Sequence, residues 1–182
     1  MSPMQIDPQQ YDGRPATPRD PVEEAAYDLL DRAHIPFVRV DHSVAATIED
    51  CHAVEQYLDT EVCKNLFLCN RQKTKFYLLL LPGDKAFHTK DLSAQIGASR
   101  LSFAPAEKME ELLRTTPGSA SILSLVFDTD RQVQLIIDRD VLKPAYFACH
   151  PCRNTSTLQF ATSDLTGKLL PVLGVSPLYV TL

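Results

Sequence analysis

Between Tyr146 and Leu158 the chain places a histidine, an asparagine and three hydroxyls in a stretch that otherwise has the composition of a strand: Tyr146, Phe147, Ala148, Cys149, His150, Pro151, Cys152, Arg153, Asn154, Thr155, Ser156, Thr157 and Leu158. A buried strand is ordinarily apolar, so this density of donors and acceptors marks a segment that handles a polar ligand. Two other segments carry reactive or orienting groups. Lys64 and Asn65 open an apolar run, Leu66-Phe67-Leu68, and Thr116-Pro117 leads into Gly118-Ser119-Ala120-Ser121. The glycine-serine segment is too short for a phosphate-binding P-loop and lacks its lysine. By default it is a turn. Its chemical use would be to bring backbone N–H groups close to a carbonyl or oxyanion, which can assist ester hydrolysis without a side-chain nucleophile.

Taken singly, each group has a plain structural explanation. Lys64 reads as a lysine at a strand mouth and His150 as a hydrogen-bonded structural histidine. Cys149-His150-Pro151-Cys152 has the spacing of a redox motif, which requires a strand running into a helix N-terminus. The residues after it, Asn154 to Phe160, read instead as turn and strand. A second ligand pair for zinc is also missing. Ser119, Ser121 and His150 have no identifiable third partner for a nucleophilic triad.

The elements that must position these groups follow from periodicity and capping. Asp20, Pro21 and Glu23 open a helix with apolar face Val22, Ala25, Ala26, Leu29, Leu30 and Ala33. A short strand spans residues 35–40, and Thr47 to Asp50 begins a second helix ending near Tyr57. Residues 66–68 and 76–81 form a hairpin through Asn70–Thr74, the second strand lacking alternation and so covered on both faces. Helices are predicted over 89–96 and 105–114, a strand over 133–137, a strand pair over 147–149 and 157–161, and a last helix from Ser163 to about Pro171. The predicted class is α+β, a single domain with a mixed sheet packed by helices. Residues 1–20, with Pro3, Pro8, Pro15 and Pro18, read as a flexible or extended arm before a domain over 21–182.

A length of 182 residues suits one domain and one core. No run approaches the ~18 apolar residues of a membrane span, and Met1-Ser2-Pro3-Met4 does not lead into a signal-peptide core. The expectation is a cytoplasmic protein. Five cysteines, an odd number, argue against a disulfide framework. The net charge of -5 would not suggest a nucleic-acid partner, yet residues 61–100 hold seven basic side chains against three acidic ones. Such a stripe can hold a phosphate backbone with salt-sensitive affinity; from charge alone, a solvated hairpin face is the better explanation.

Jointly, these segments resemble one family. Lys64-Asn65-Leu66-Phe67-Leu68, then Leu101-Ser102-Phe103-Ala104, then Pro117-Gly118-Ser119-Ala120-Ser121, then Asp138, then His150-Pro151 with Asn154-Thr155 are similar in order and interval to the YbaK/prolyl-tRNA-synthetase-associated editing domains. The likeness spans roughly residues 21–170 and is most specific from Val62 to Thr157. It implies an aminoacyl-tRNA deacylase that removes a wrong amino acid, alanine above all, from tRNA(Pro), with the tRNA acceptor end and prolyl-tRNA synthetase as partners. Lys64, Gly118, Ser119, Ala120 and His150 would be its catalytic groups, and Asn65, Ser121, Ile122 and Asn154 its substrate-binding groups. The chemistry implied needs neither metal nor organic cofactor: the ester is activated, and positioning with backbone dipoles suffices. Selectivity would be a size sieve. The family loop reads Gly-x-x-x-Pro, and Ile122 stands where that proline belongs. This departure and the acidic body keep an alternative open, a non-catalytic module that senses tRNA or an amino acid on the same fold. A small-molecule esterase is the third reading.

Overall fold

The computed structural model describes residues 3–182. Its elements are β1 (Tyr11–Asp12), α1 (Pro21–Arg32), β2 (Val38–Asp41), α2 (Ile48–Glu55), β3 (Lys64–Asn70), β4 (Phe76–Leu81), α3 (Thr89–Ile96), β5 (Leu101–Phe103), α4 (Ala106–Leu113), β6 (Val133–Asp138), β7 (Tyr146–Cys149), β8 (Ser156–Ala161), α5 (Thr162–Asp164), α6 (Leu170–Leu173) and β9 (Leu178–Val180). The α+β single-domain reading holds, with a refinement: the strands divide into two sheets. One is antiparallel, in the order β1-β2-β8-β7; the other is mixed, in the order β5-β3-β4-β6-β9.

The local reasons are visible in the sequence. Asp20 caps α1 by accepting from the N–H groups of Val22 and Glu23. Glu23 does not complete a capping box; it turns to Arg19 and the Tyr27 hydroxyl instead. Thr47 and Asp50 do form a reciprocal capping box on α2. The β3–β4 turn is organised by Asn70, whose side-chain oxygen accepts from the N–H groups of Thr74 and Lys75. Leu78 to Leu81 on β4 are fully buried because both faces of the strand are covered. Leu78 and Leu80 join the main core with α1, α4 and the C-terminal helices, while Leu79 and Leu81 pack in a second cluster with Leu92 of α3. Trimming any of these leucines to alanine costs about 2–5 kcal/mol.

Three departures from the periodicity have physical causes. The strand predicted over residues 35–40 starts instead at Val38, beyond Pro36, which has no N–H to give a ladder. The last helix runs on past Pro171 to Leu173 through a π-helical turn over Leu165–Leu169, and Gly174 at φ 65° ends it. Residues 122–127 form a 3-10 helix that apolar composition alone did not announce. At the chain start, the Asp7 N–H donates to the Asp41 carbonyl, the Gly13 N–H to the Phe37 carbonyl, and β1 pairs with β2 in antiparallel register.

What positions the cleft is the joint between the sheets. Val62 bridges Ala148 in parallel fashion, and the Cys63 N–H donates to the Ala148 carbonyl at 2.9 Å. The start of β3 and the end of β7 are thereby held side by side, which brings Lys64 and His150 to one edge of the molecule.

Candidate functional site

A cavity of about 350 Å³ opens at this joint. Its lining draws together Lys64 and Asn65 from β3, Gly118 and Ala120 from the loop after α4, and His150 after β7, five residues from three segments far apart in sequence. The opposite wall is the segment leading into α2 and the helix itself, including Ala45, Ala46, Thr47, Cys51 and His52. Ser119, Ser121, Ile122 and Asn154 do not line it. They stand behind the lining and hold it.

The Gly118 loop shows how. Gly118 has φ +88°, a conformation that favours glycine, and a Cβ there would lie 3.7 Å from the Asn154 amide nitrogen. The Ser119 N–H is consumed by the Thr116 carbonyl at 2.9 Å, and the Ser121 hydroxyl accepts from the Leu123 N–H. Among the described residues, the N–H groups of Gly118 and Ala120 find no acceptor. Donors without an acceptor beside a cavity are the arrangement that polarises a carbonyl or holds an oxyanion. Asn154 ties this loop to the opposite wall: its amide donates to the Ala45 carbonyl at 3.2 Å, and its own carbonyl accepts from the Ala45 N–H at 2.9 Å.

Ile122 is fully buried, and its N–H donates to the Asn65 side-chain oxygen at 3.1 Å. The Asn65 amide donates in turn to the Cys63 carbonyl. A proline at position 122 would have no N–H, so isoleucine here permits a hydrogen bond that orients Asn65. Lys64 is also held: its ammonium donates to the Lys85 carbonyl at 2.9 Å. The Lys85 ammonium is fixed by Asp138, fully buried, and by Asp140, each at 2.7 Å.

His150 is buried and in a defined tautomer. Its Nδ1 lies 2.9 Å from the Ser156 carbonyl, so Nδ1 carries the proton. Thr157 Oγ1 sits 3.3 Å from the same nitrogen and 2.8 Å from His42 Nε2, and His42 Nδ1 lies 2.8 Å from the Ser43 carbonyl. The consistent assignment has Thr157 donating to His42 and both histidines neutral. Burial pushes His150 down to about 4, and burial likewise lowers His42. His150 is therefore a fixed neutral imidazole with Nε2 free to accept, rather than a strong base.

The thiols in and beside the cavity are not poised as nucleophiles. Burial pushes the Cys63 thiol up, the Cys51 thiol up to about 11 and the Cys149 thiol up to about 12. A redox or nucleophilic cysteine needs the opposite shift. At the rim, His52 bridges α2 to the segment after β4, pairing with Glu55 at 2.8 Å and Asp84 at 2.9 Å. A second cavity, about 450 Å³, lies against the first and shares Cys63 and Gly83 with it.

Sequence reasoning missed His42 and the α2 wall. His42 had no motif around it. The wall's one sequence signal was the Thr47–Asp50 cap, which announces a helix and nothing of what the helix faces.

The fold and this cleft define a class. The sequence profile described as the aminoacyl-tRNA editing domain matches residues 42–167, well over half the chain. The chain belongs to that family. It is 27% identical over 143 residues to the prolyl-tRNA editing protein ProX of Acetoanaerobium sticklandii, covering 79% of this chain and 87% of that one. It is 32% identical over 131 residues to the prolyl-tRNA synthetase associated domain-containing protein 1 of Mus musculus, covering 69% and 76% of the two. Among solved structures, a candidate trans-editing enzyme for prolyl tRNA synthetase superposes with a TM-score of 0.66 at 15% identity, over 90% of this chain and 98% of that one, a likeness of fold.

Proposed function

We propose that this protein is an aminoacyl-tRNA deacylase that hydrolyses the ester of mischarged tRNA(Pro), with alanyl-tRNA(Pro) the favoured substrate. The observation that carries the reading is the convergence of Lys64, Asn65, Gly118, Ala120 and His150 on one small cleft whose nearby thiols are held protonated. An ester already activated by its neighbouring ribose hydroxyl needs positioning and carbonyl polarisation more than a nucleophile. The free N–H groups of Gly118 and Ala120 would take the carbonyl oxygen, the Lys64 ammonium the acceptor-end phosphate or ribose, and His150 Nε2 would accept from the attacking water. Asn65 orients the ester, and Ser119, Ser121, Ile122 and Asn154 keep the loop in place. The names of the prolyl-tRNA-related relatives support tRNA(Pro) and an association with prolyl-tRNA synthetase. The small lining residues Ala45, Ala46, Gly118 and Ala120 suit a small acyl group, which supports alanine.

The test is release of labelled amino acid from alanyl-, cysteinyl-, seryl- and prolyl-tRNA(Pro) and from alanyl-tRNA(Ala), with wild type and Lys64→Ala side by side. Lys64-dependent release from alanyl-tRNA(Pro), with prolyl-tRNA(Pro) spared, is the expected result. No release from any species by folded protein would overturn the deacylase reading in favour of a sensing module.

A further inference from the structure

Beside the cleft, and sharing Lys64 and Leu66 with it, lies a groove of about 540 Å³ that the deacylation chemistry does not use. It is lined by Phe87, His88, Thr89, Lys90 and Phe103 together with the two shared residues. Two properties set it apart. Its lining contains two lysines and a histidine and no carboxylate; among the described residues Lys90 forms no ion pair, and His88 does not cap the helix it precedes. It also displays an aromatic side chain that the fold does not need: Phe103 is 62% exposed, against Phe87 with ring centroids 6.4 Å apart and planes at 73°. Phe87 packs into the second core cluster and anchors the pair, whereas Phe103 leaves that cluster and offers a face to solvent.

We propose that this groove is the seat of the single-stranded nucleotides next to the terminal adenosine of the tRNA, one base stacking on Phe103 with the backbone phosphates passing Lys90 and Lys64. The inference rests on the deacylase reading for its direction, since the groove continues from the cleft that would hold the ester. Its own warrant is the pairing of an exposed aromatic face with unpaired cations. That combination binds single-stranded nucleic acid without reading sequence, because every base has a stacking face and every nucleotide a phosphate. A purely apolar partner would leave the cations unexplained, and free phosphate would leave Phe103 unexplained.

The experiment uses the full-length chain and an uncharged RNA tetranucleotide, 5′-labelled ACCA, with dissociation constants read by fluorescence anisotropy at several salt concentrations. Phe103→Ala is expected to weaken binding about tenfold, the loss of one stacked base, and Phe103→Tyr to retain it. Lys90→Gln is expected to lower the slope of log affinity against log salt by about 0.7, one phosphate contact on a single strand. Arg71→Gln, in the distant β3–β4 turn, serves as the control and binds as wild type. Circular dichroism confirms that the exposed-site variants fold. Failure of wild type to bind the tetranucleotide, or binding by Phe103→Ala and Lys90→Gln equal to wild type, overturns the groove assignment; a protein-docking surface would give the first of these results. Binding requires no hydrolysis, so the two readings separate. Phe103-dependent binding by a protein that releases no amino acid sinks the deacylase and leaves the groove standing, and release of amino acid with Phe103-independent binding does the reverse.

Discussion

The molecule treats its positive charges in two opposite ways. On the flank where the N-terminal segment meets α1 and β2, three arginines, Arg14, Arg19 and Arg39, are bound into carboxylates. Arg14 reaches Glu24, Asp28 and Asp31, and Arg19 reaches Glu23 and Asp41 while also donating to the Ser156 hydroxyl at 2.7 Å. Arg39 pairs with Asp41, donates to the Gly13 carbonyl and lies 4.8 Å above the Tyr11 ring. Along residues 61–100 the pattern reverses. Of the seven basic side chains between 61 and 100, only Lys85 forms an ion pair among the described residues. The guanidinium groups of Arg14, Arg19 and Arg39, planar forks with several donors, are spent on structure, whereas the other six charges between 61 and 100, Arg71 and Arg100 among them, form no ion pair among the described residues. A net charge of -5 averages over this division and conceals it.

Substitutions break the comparison in graded ways. The largest effect is expected from Lys64→Ala, a fall of a hundredfold or more in kcat/KM on the mischarged tRNA with little change in thermal midpoint, since the side chain's partner is a carbonyl at the surface of the joint. A similar loss of stability and activity together would assign Lys64 to structure. Next is the pH response. The buried histidines His150 and His42 take up protons on unfolding that they refuse when folded, so stability falls as pH drops from the ordinary histidine value of 6.5 towards His150's value of about 4. For His150 alone that amounts to roughly 3 kcal/mol. Asp41 behaves differently: burial opposes its ionisation, but hydrogen bonds from Arg19, Ser156 and Arg39 outweigh it and lower its pKa. Its contribution persists until pH falls below the usual carboxylate value of 3.8. Denaturation curves should therefore show stability falling between pH 7 and 4, before the contribution of Asp41 is lost, and a flat profile over that range would refute the assignment of both histidines as neutral when folded.

Smaller again is Arg19→Ala, expected to cost about 2 kcal/mol by leaving buried Glu23 without its cation and Asp41 with Arg39 alone, or roughly 5 °C in Tm. Residual folded protein should turn over substrate normally; a loss of kcat at a temperature where it is fully folded would tie the flank to the cleft. The smallest is Ile122→Pro, which removes the N–H that orients Asn65 and should cost about 1 kcal/mol of stability. Its kcat/KM should fall about fivefold, a rate unchanged on every charged tRNA showing that Asn65 needs no such tether.

Much of this was legible in the chain. The unalternating apolar run of β4, the Asp20-Pro21 helix start and the Asn70 turn are strong local signals, and the structure uses each of them. The density of polar groups between His150 and Thr157 also marked one wall of the cleft. What stayed hidden was long-range. Leu101–Phe103 and Leu178–Val180 are three-residue strands whose pairing depends on partners elsewhere, so no pattern of their own identifies them. The joint between the two sheets depends on the Val62–Ala148 bridge, a backbone contact blind to side-chain type. Ile122 shows the same limit at the site: its identity reads as a lost proline, whereas the atom that matters is the backbone nitrogen.

The wall shared by the two neighbouring cavities has a consequence for how this scaffold can change. Gly83 admits no side chain, because a Cβ would lie 2.7 Å from the Val62 carbonyl oxygen, and Cys63 supplies the only side chain the pair contributes. Of the two residues the cavities share, only Cys63 can therefore be shortened, and Cys63→Ala would thin the partition without touching the main chain. The volume behind the cleft is then set by one side chain, independently of the core that took the whole chain to assemble.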